Sequence, residues 1–473
     1  MQLRLEAFNR EELEKIHAAT LEVLDRSGVD VESESVRNLL KENGARVDGA
    51  RVSMSPEMVE KAISQINKTV KLAARDPKYS VVLPVQNTLN STSGYAAYAH
   101  DMDTSESRPS TAEDLVDFAI LSDALPEVDI FWPIVMPTEI ESPQLQEIAA
   151  LDISLRNTCK HVQCSLSDGE TALYQIKLAA ALAGGEDKLR KNPLFSVVSS
   201  PFTPLSFKKG TAESYIPMAR AGIPVVPMNV PMAGTTAPVT LAGAVVMTNA
   251  EQLATLVILK CADESAPMVY SSDTGSAEMT TGGMNYDSPD RPILCASMAQ
   301  VARYYGFPSC VSHDTSEEKN YTFRAGFERN ALRIAINTMT HSDLAIWMGS
   351  LDEALGASLW DLLLDAEAIK LARHYNRWLD VNENTLAVNV INEVGPGGNF
   401  LKNSHTAKNF RKAVSLYDYK KNFIFADDDA DFVAKAKNKV REILKSHKPV
   451  PIPEDKLKAM DEVIAEARRS FNG

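Results

Sequence analysis

Little in this 473-residue chain is equipped for metal or redox chemistry. Cysteine is scarce: Cys159, Cys164, Cys261, Cys295 and Cys310 make five, and no CxxC pair exists. A zinc ribbon and a thioredoxin-like motif are thereby excluded, and free thiols in a reducing compartment are expected. A Walker A loop, HExxH, GxSxG and an EF-hand pattern are also missing. No run of about 18 apolar residues occurs, and the N-terminus MQLRLEAFNREELEK has no apolar signal core. A soluble, cytoplasmic protein is the expectation. Basic residues are outnumbered, 49 Lys and Arg against 63 Asp and Glu, for a net charge of −14. Nucleic-acid binding needs basic surface to displace counterions, so nucleic acid and membrane are not expected partners. A cationic substrate is tolerated.

What is present begins with helices. Asn9 with Glu12 makes a capping box, and Leu13, Ile16, Leu21 and Leu24 give a helical stripe ending at Gly28. Shorter helices are expected from Ser35 to Lys41 and from Ser55-Pro56. These form a helical extension over residues 1–75. Short β-rich runs then recur near 89–93, 130–135, 161–165, 194–200, 225–230, 268–272, 309–313 and 344–349, most separated by one amphipathic helical stretch. Strands alternating with helices in this way indicate an α/β (β/α)₈ TIM-type barrel, placed at residues 76–420. A doubly wound open sheet is the rival, weakened because no glycine-rich dinucleotide turn follows the first strand. Residues 421–473 read as a charged helical tail.

Several of the strands end in polar residues: Gln163 and Ser165, Ser199 and Ser200, Asn229, Ser271 to Asp273, and His313 with Asp314. In a parallel barrel that rim carries the active site. Any strand exit is polar by default, but agreement across several strands favours a site. His313 beside Asp314 is open to three readings: metal ligand, substrate contact or proton carrier, and plain structure.

Two longer stretches, PMNVPMAGTTAPVTLAGAVVMTNAEQLA from Pro227 and VGPGGNFLKNSHTAKNFR from Val394, resemble signature segments of the trimethylamine methyltransferase family. Shorter likenesses are SRPSTAEDLVDFAILSDALPEVD, SSPFTPLSF and RAGFE, in the same order. The resemblance implies a (β/α)₈ barrel that passes an amine methyl group to the Co(I) corrinoid (cobalamin) of a separate protein. No DxHxxG corrinoid-binding motif stands here, so this chain is expected to bind no cofactor and to rely on a cognate corrinoid-binding partner. Family members acting on trimethylamine carry pyrrolysine where this chain reads SHDTSEEKNYTFRAGFE from Ser312, with standard residues only. It is therefore similar to the non-pyrrolysine branch, which includes glycine betaine methyltransferases yielding dimethylglycine.

A quaternary amine already carries the charge that makes its amine a good leaving group, so positioning is the main task. Lacking an N–H, the cation must be held by aromatic faces and carboxylates. Candidate cage residues near strand ends are Tyr95, Tyr98, Phe202, Tyr321, Phe323 and Trp347, each of which could equally be packing. His313 and Arg324, with Lys319 behind them, are candidates for the carboxylate of a betaine. Asn229 lines a strand exit. Glu251 matches a family acid beside the reactive position, and together with His313 it is the catalytic candidate; its bland reading is an acid at a helix N-terminus. No metal ligands are expected. Proline betaine or carnitine, a non-catalytic betaine-binding barrel, and a lyase using His313 and Asp314 remain alternatives. An exposed tail helix suggests a homo-oligomer.

Overall fold

The computed structural model describes residues 5–312, 339–375, 380–414 and 432–471. Its centre is a parallel sheet of eight strands: β1 Leu89–Thr92, β2 Ile130–Phe131, β3 His161–Ser165, β4 Phe195–Val198, β5 Val225–Val226, β6 Tyr270–Ser272, β7 Ser309–Ser312 and β8 Leu344–Met348. Each pairs with its sequence neighbour, and β8 returns to β1 through Leu344↔Leu89 and Ile346↔Ser91. The circle closes between β5 and β6, where Val225 N donates to Pro267 O at 3.1 Å and Val269 N donates to Val225 O at 2.9 Å. Closure excludes the open doubly wound sheet. All eight strands fall where the sequence placed them.

Alternation along each strand separates two cores. Phe195, Val197, Val162, Cys164 and Tyr270 face outward into the helix layer. Ile130, Val198, Val226, Val269, Cys310, Leu344 and Ile346 fill the interior. The first helices of the layer are Ala112–Ala124, Pro143–Asn157 and Gly169–Ala183, followed by Lys209–Ala221, Leu241–Ala262 and Asp290–Tyr305, with Leu359–Tyr375 after β8. Leu241–Ala262 is apolar and long enough to cross a membrane, but it is a core helix, with 78% of its apolar window buried.

The N-terminal helices are Arg10–Glu22, Glu34–Glu42 and Pro56–Ser64, capped by Asn9, Ser33 and Ser55. Between them lies a small sheet that the sequence did not reveal: Val29–Val31, Arg46–Asp48 and Arg51–Ser53, joined in parallel by Ser206–Phe207 from the β4 exit. A hairpin, Val70–Leu72 with Val81–Leu83, crosses the boundary expected at residue 75. Val70, Leu72 and Leu83 join the interior core. Ala73 N donates to Pro193 O, Asp76 N to Cys159 O, and Val85 N to the Asp343 side chain, each just ahead of a barrel strand. The hairpin therefore stoppers the N-terminal mouth and leaves the C-terminal mouth as the open end.

The last helices, Phe432–Ser446 and Glu454–Phe471, are not loose appendages. Ala436 and Val440 enter the core beside Leu359–Tyr375, and Met460 enters the main core.

Candidate active site at the C-terminal barrel mouth

Polar side chains also enter the barrel interior, among the apolar ones. Ser91 on β1, Gln163 on β3 and Ser271 on β6 occupy inward positions by alternation, and all three are fully buried. Trp132, at the exit of β2, belongs to the interior core. Among the described residues, the Ser91 and Ser271 hydroxyls, both amide atoms of Gln163 and Trp132 Nε1 have no hydrogen-bond partner. Leaving such groups unpaired costs about 1–3 kcal/mol each. Several of them facing one barrel interior, from β1, β2, β3 and β6, mark a place suited to a polar ligand.

Aromatic surface stands beside them. Tyr95 and Trp132 have ring centroids 6.2 Å apart at a tilt of 52°. Gly94 allows this approach: a Cβ there would lie 2.1 Å from the Trp132 ring. Tyr95 itself holds φ at 69°, a left-handed conformation that an aromatic residue rarely adopts. Its hydroxyl accepts a hydrogen bond from Ser165 N at 3.0 Å, which ties the ring to the end of β3. Burial pushes the phenol well above its usual pKa, so it stays neutral.

A carboxylate completes this side. Glu147 accepts from Ser167 N at 3.2 Å and Ser167 Oγ at 3.1 Å. Burial raises its pKa to about 7, with the Ser167 hydrogen bonds pulling the other way. Its field reaches Tyr95. Across the mouth, Asp273 pairs with the buried Arg291, which also lies 4.8 Å over the Tyr286 ring. Burial raises the Asp273 pKa against the pull of that guanidinium. Among the described residues no group of three or more His, Cys, Asp or Glu could hold a metal ion.

Behind the mouth a hydrogen-bonded strut joins three strands to one helix. Asn229, just past β5, donates to Glu251 Oε2 at 2.6 Å and accepts from Gln252 Nε2 at 3.0 Å. Glu251 Oε1 accepts from Thr203 Oγ1 at 2.5 Å and from Leu205 N at 2.8 Å. Gln252 Oε1 accepts from Ser271 N at 3.1 Å. The exits of β4, β5 and β6 are thus locked to the helix Leu241–Ala262.

A family model described as trimethylamine methyltransferase (MTTB) matches residues 2–472. The chain belongs to this family. Trimethylamine methyltransferase MttB of Desulfitobacterium hafniense is 32% identical over 99% of this chain and 95% of its own length. A glycine betaine methyltransferase of another strain of that species is 27% identical, covering 86% of this chain and 84% of its own. The crystal structure of Methanosarcina barkeri monomethylamine methyltransferase (MtmB) aligns with 97% of this chain and 93% of its own, at 12% identity and TM-score 0.49.

In this member of the family the candidate residues separate. Tyr95 is at the mouth. Asn229 and Glu251 belong to the strut; Glu251 is fully buried in the middle of its helix, away from the N-terminal macrodipole position, and burial raises its pKa. Trp347 packs in the outer core between β8 and the helices, its indole donating to Asn90 Oδ1 at 3.4 Å. Tyr98 is 44% exposed on the rim strand Tyr98–His100, and Phe202 is 60% exposed with Lys208 Nζ 5.0 Å from its ring centre. His313, Asp314, Lys319, Tyr321, Phe323 and Arg324 lie outside the described residues. Sequence reading passed over Trp132, Glu147, Ser91 and Gln252. Trp132 could have been found from its place two residues after Ile130, which an inward β2 position demands.

Proposed function

We propose that this methyltransferase takes a methyl group from a small quaternary amine, glycine betaine first among them, and delivers it to the Co(I) corrinoid of a separate protein, leaving dimethylglycine. The observation that carries the reading is the pairing of two surfaces in one enclosure. Tyr95 and Trp132 offer ring faces to an onium ion, which needs no hydrogen-bond acceptor. Beside them an amide, two hydroxyls and an indole N–H stand without partners among the described residues, a set suited to a carboxylate. A betaine has both ends.

The corrinoid supplies the nucleophile, so no side chain has to. The chain's own residues bind the cation, orient one N–CH₃ bond toward the open mouth and keep water out. Effective molarities of well-oriented groups make such positioning worth roughly 7–11 kcal/mol. The neutral dimethylglycine nitrogen leaves without a proton donor, so the step asks no acid of the mouth. The family relationship and the glycine betaine methyltransferase relative support the same substrate class. A cytoplasmic location fits a partner kept in a reduced state.

The test mixes this protein, a corrinoid protein reduced to Co(I) and a panel of methylated amines, and follows the visible spectrum of the cobalt. Methyl-Co(III) formation with glycine betaine is the expected result. Methyl transfer from trimethylamine alone would end the betaine reading; ligand binding with no transfer would make this a sensing barrel.

A further inference from the structure

A cavity of about 350 Å³ opens at the N-terminal face of the barrel, the end opposite the mouth. Its walls come from three parts of the chain that meet where β4 begins. The end of the helix Gly169–Ala183, with the residues leading into β4, makes the first wall. Arg75, beyond the stoppering hairpin, makes the second, and residues 450–453, ahead of the last helix, make the third. Leu182, Leu194 and Ile452 bring apolar surface, and all three are buried in the main core. Arg75 holds the walls together: Nε donates to Thr158 O at 3.1 Å and Nη1 donates to Val450 O. A volume in this range is that of a small-molecule site.

The charge of the lining runs against that of the chain. The whole sequence has a net charge of −14, yet Arg75, Lys188 and Lys456 line this cavity and no carboxylate among the described residues does. Two of the cations stand at the C-terminal end of the helix Gly169–Ala183, which attracts positive charge. That attraction engages one N–H: Lys456 Nζ donates to Leu182 O at 2.5 Å. Among the described residues, the other two N–H groups of Lys456 and the whole Lys188 ammonium are left over. Asn192, also in the lining, accepts from Lys71 Nζ through Oδ1 and so keeps its amide N–H groups free to donate. Like charges gathered in one place repel, and an anion between them reverses the sign of the interaction. We infer that this cavity is a binding site for a small organic anion, a carboxylate or phosphate carried on a short apolar body. Lys188, Lys456 and Asn192 hold the head group, and Leu194 and Ile452 receive the body. The bound anion ties residues 450–453 to the barrel. This goes beyond the proposed reaction and does not depend on it.

Titration calorimetry of the full chain with butyrate and with butyl phosphate, at constant ionic strength, tests it. At least one of the two should bind saturably at one site per chain, and the tighter of them identifies the head group. Butanol, which lacks the charge, and inorganic phosphate, which lacks the apolar body, should each bind more weakly. Hydrogen exchange should slow on binding in residues 182–194 and 450–456. Lys188→Glu should weaken binding at least roughly tenfold, as loss of a charge-assisted hydrogen bond does. Lys191→Glu makes the same charge change on the same short helix, outside the cavity, and should bind as the wild type does. Both lysines are exposed, so both variants keep the fold. Absence of saturable binding by either acid overturns the inference. So does equal weakening in the two variants, which would leave only the general field of a basic surface. Protection at the barrel mouth in place of the N-terminal face overturns it too.

Discussion

Asn229 donates its side-chain amide to Glu251 Oε2 at 2.6 Å, and through this contact the exit of β5 is fixed to the middle of the helix Leu241–Ala262. The other Glu251 oxygen holds Thr203 and Leu205 from the β4 exit. A residue so fully engaged positions the loops that carry the site. Glu251→Ala strands three donors in a buried space and should cost roughly 2–5 kcal/mol of stability in urea unfolding. Glu251→Gln keeps the Thr203 and Leu205 bonds but turns an amide N–H toward the Asn229 amide. Asn229 cannot flip to relieve this without losing Gln252, so the variant should fall between the two. If Glu251→Gln retained full stability and lost all methyl transfer, Glu251 would be acting on substrate and the strut would be secondary.

The two tryptophans at strand ends should behave oppositely. Trp132→Ala removes a ring face from the mouth and should raise KM for the onium ion at least roughly tenfold, as expected of a desolvated cation–π contact. Trp347→Ala opens a hole in the outer core and should cost roughly 3–5 kcal/mol of stability with KM little changed in the folded fraction. Kinetics and denaturation on the same pair of variants decide the matter, and an unchanged KM in Trp132→Ala would remove the cage from this mouth.

This contrast shows where the sequence was legible. The eight strands were readable because apolar runs and polar exits recur at regular intervals, and the first and third N-terminal helices because Asn9 and Ser55 cap them. Parity was harder. β8 reads Leu-Ala-Ile-Trp-Met, apolar on both faces as buried parallel strands are, so nothing in it says that Ile346 points in and Trp347 out. The three-residue strands of the N-terminal sheet and the stoppering hairpin are too short to show a period. A helix-start acid stayed open as the alternative for Glu251 because its helix, mostly buried, hides its own beginning.

Glu147 gives the site a pH dependence. Its carboxyl is raised from its ordinary value to about 7. Below the ordinary range both folded and unfolded chains are protonated, and its contribution to stability is fully present. As pH rises toward 7 the unfolded chain has already lost the proton that the folded chain keeps, so that contribution is lost across this window. Cation binding runs the other way: ionised Glu147 attracts an onium ion, so KM should fall roughly 3- to 10-fold between about pH 6 and pH 8. In Glu147→Gln both slopes should flatten. A KM profile that keeps its shape in the variant would place the titrating group elsewhere.

Gln163 separates a binding role from a structural one. Its amide is fully buried on β3, with neither the nitrogen nor the oxygen bonded to any of the described residues. An amide so placed is a liability to folding, so Gln163→Leu, close to it in volume, should leave stability unchanged or raise it by about 1 kcal/mol. If the amide meets the carboxylate of a betaine, the same variant loses that hydrogen bond and KM for glycine betaine should rise roughly 10- to 100-fold. Tetramethylammonium, which has the onium end alone, provides the control: its methyl transfer should be insensitive to Gln163→Leu. Equal losses for both substrates would mean that the amide shapes the pocket without touching the carboxylate, and a destabilised Gln163→Leu would mean that the native amide is satisfied by bound water.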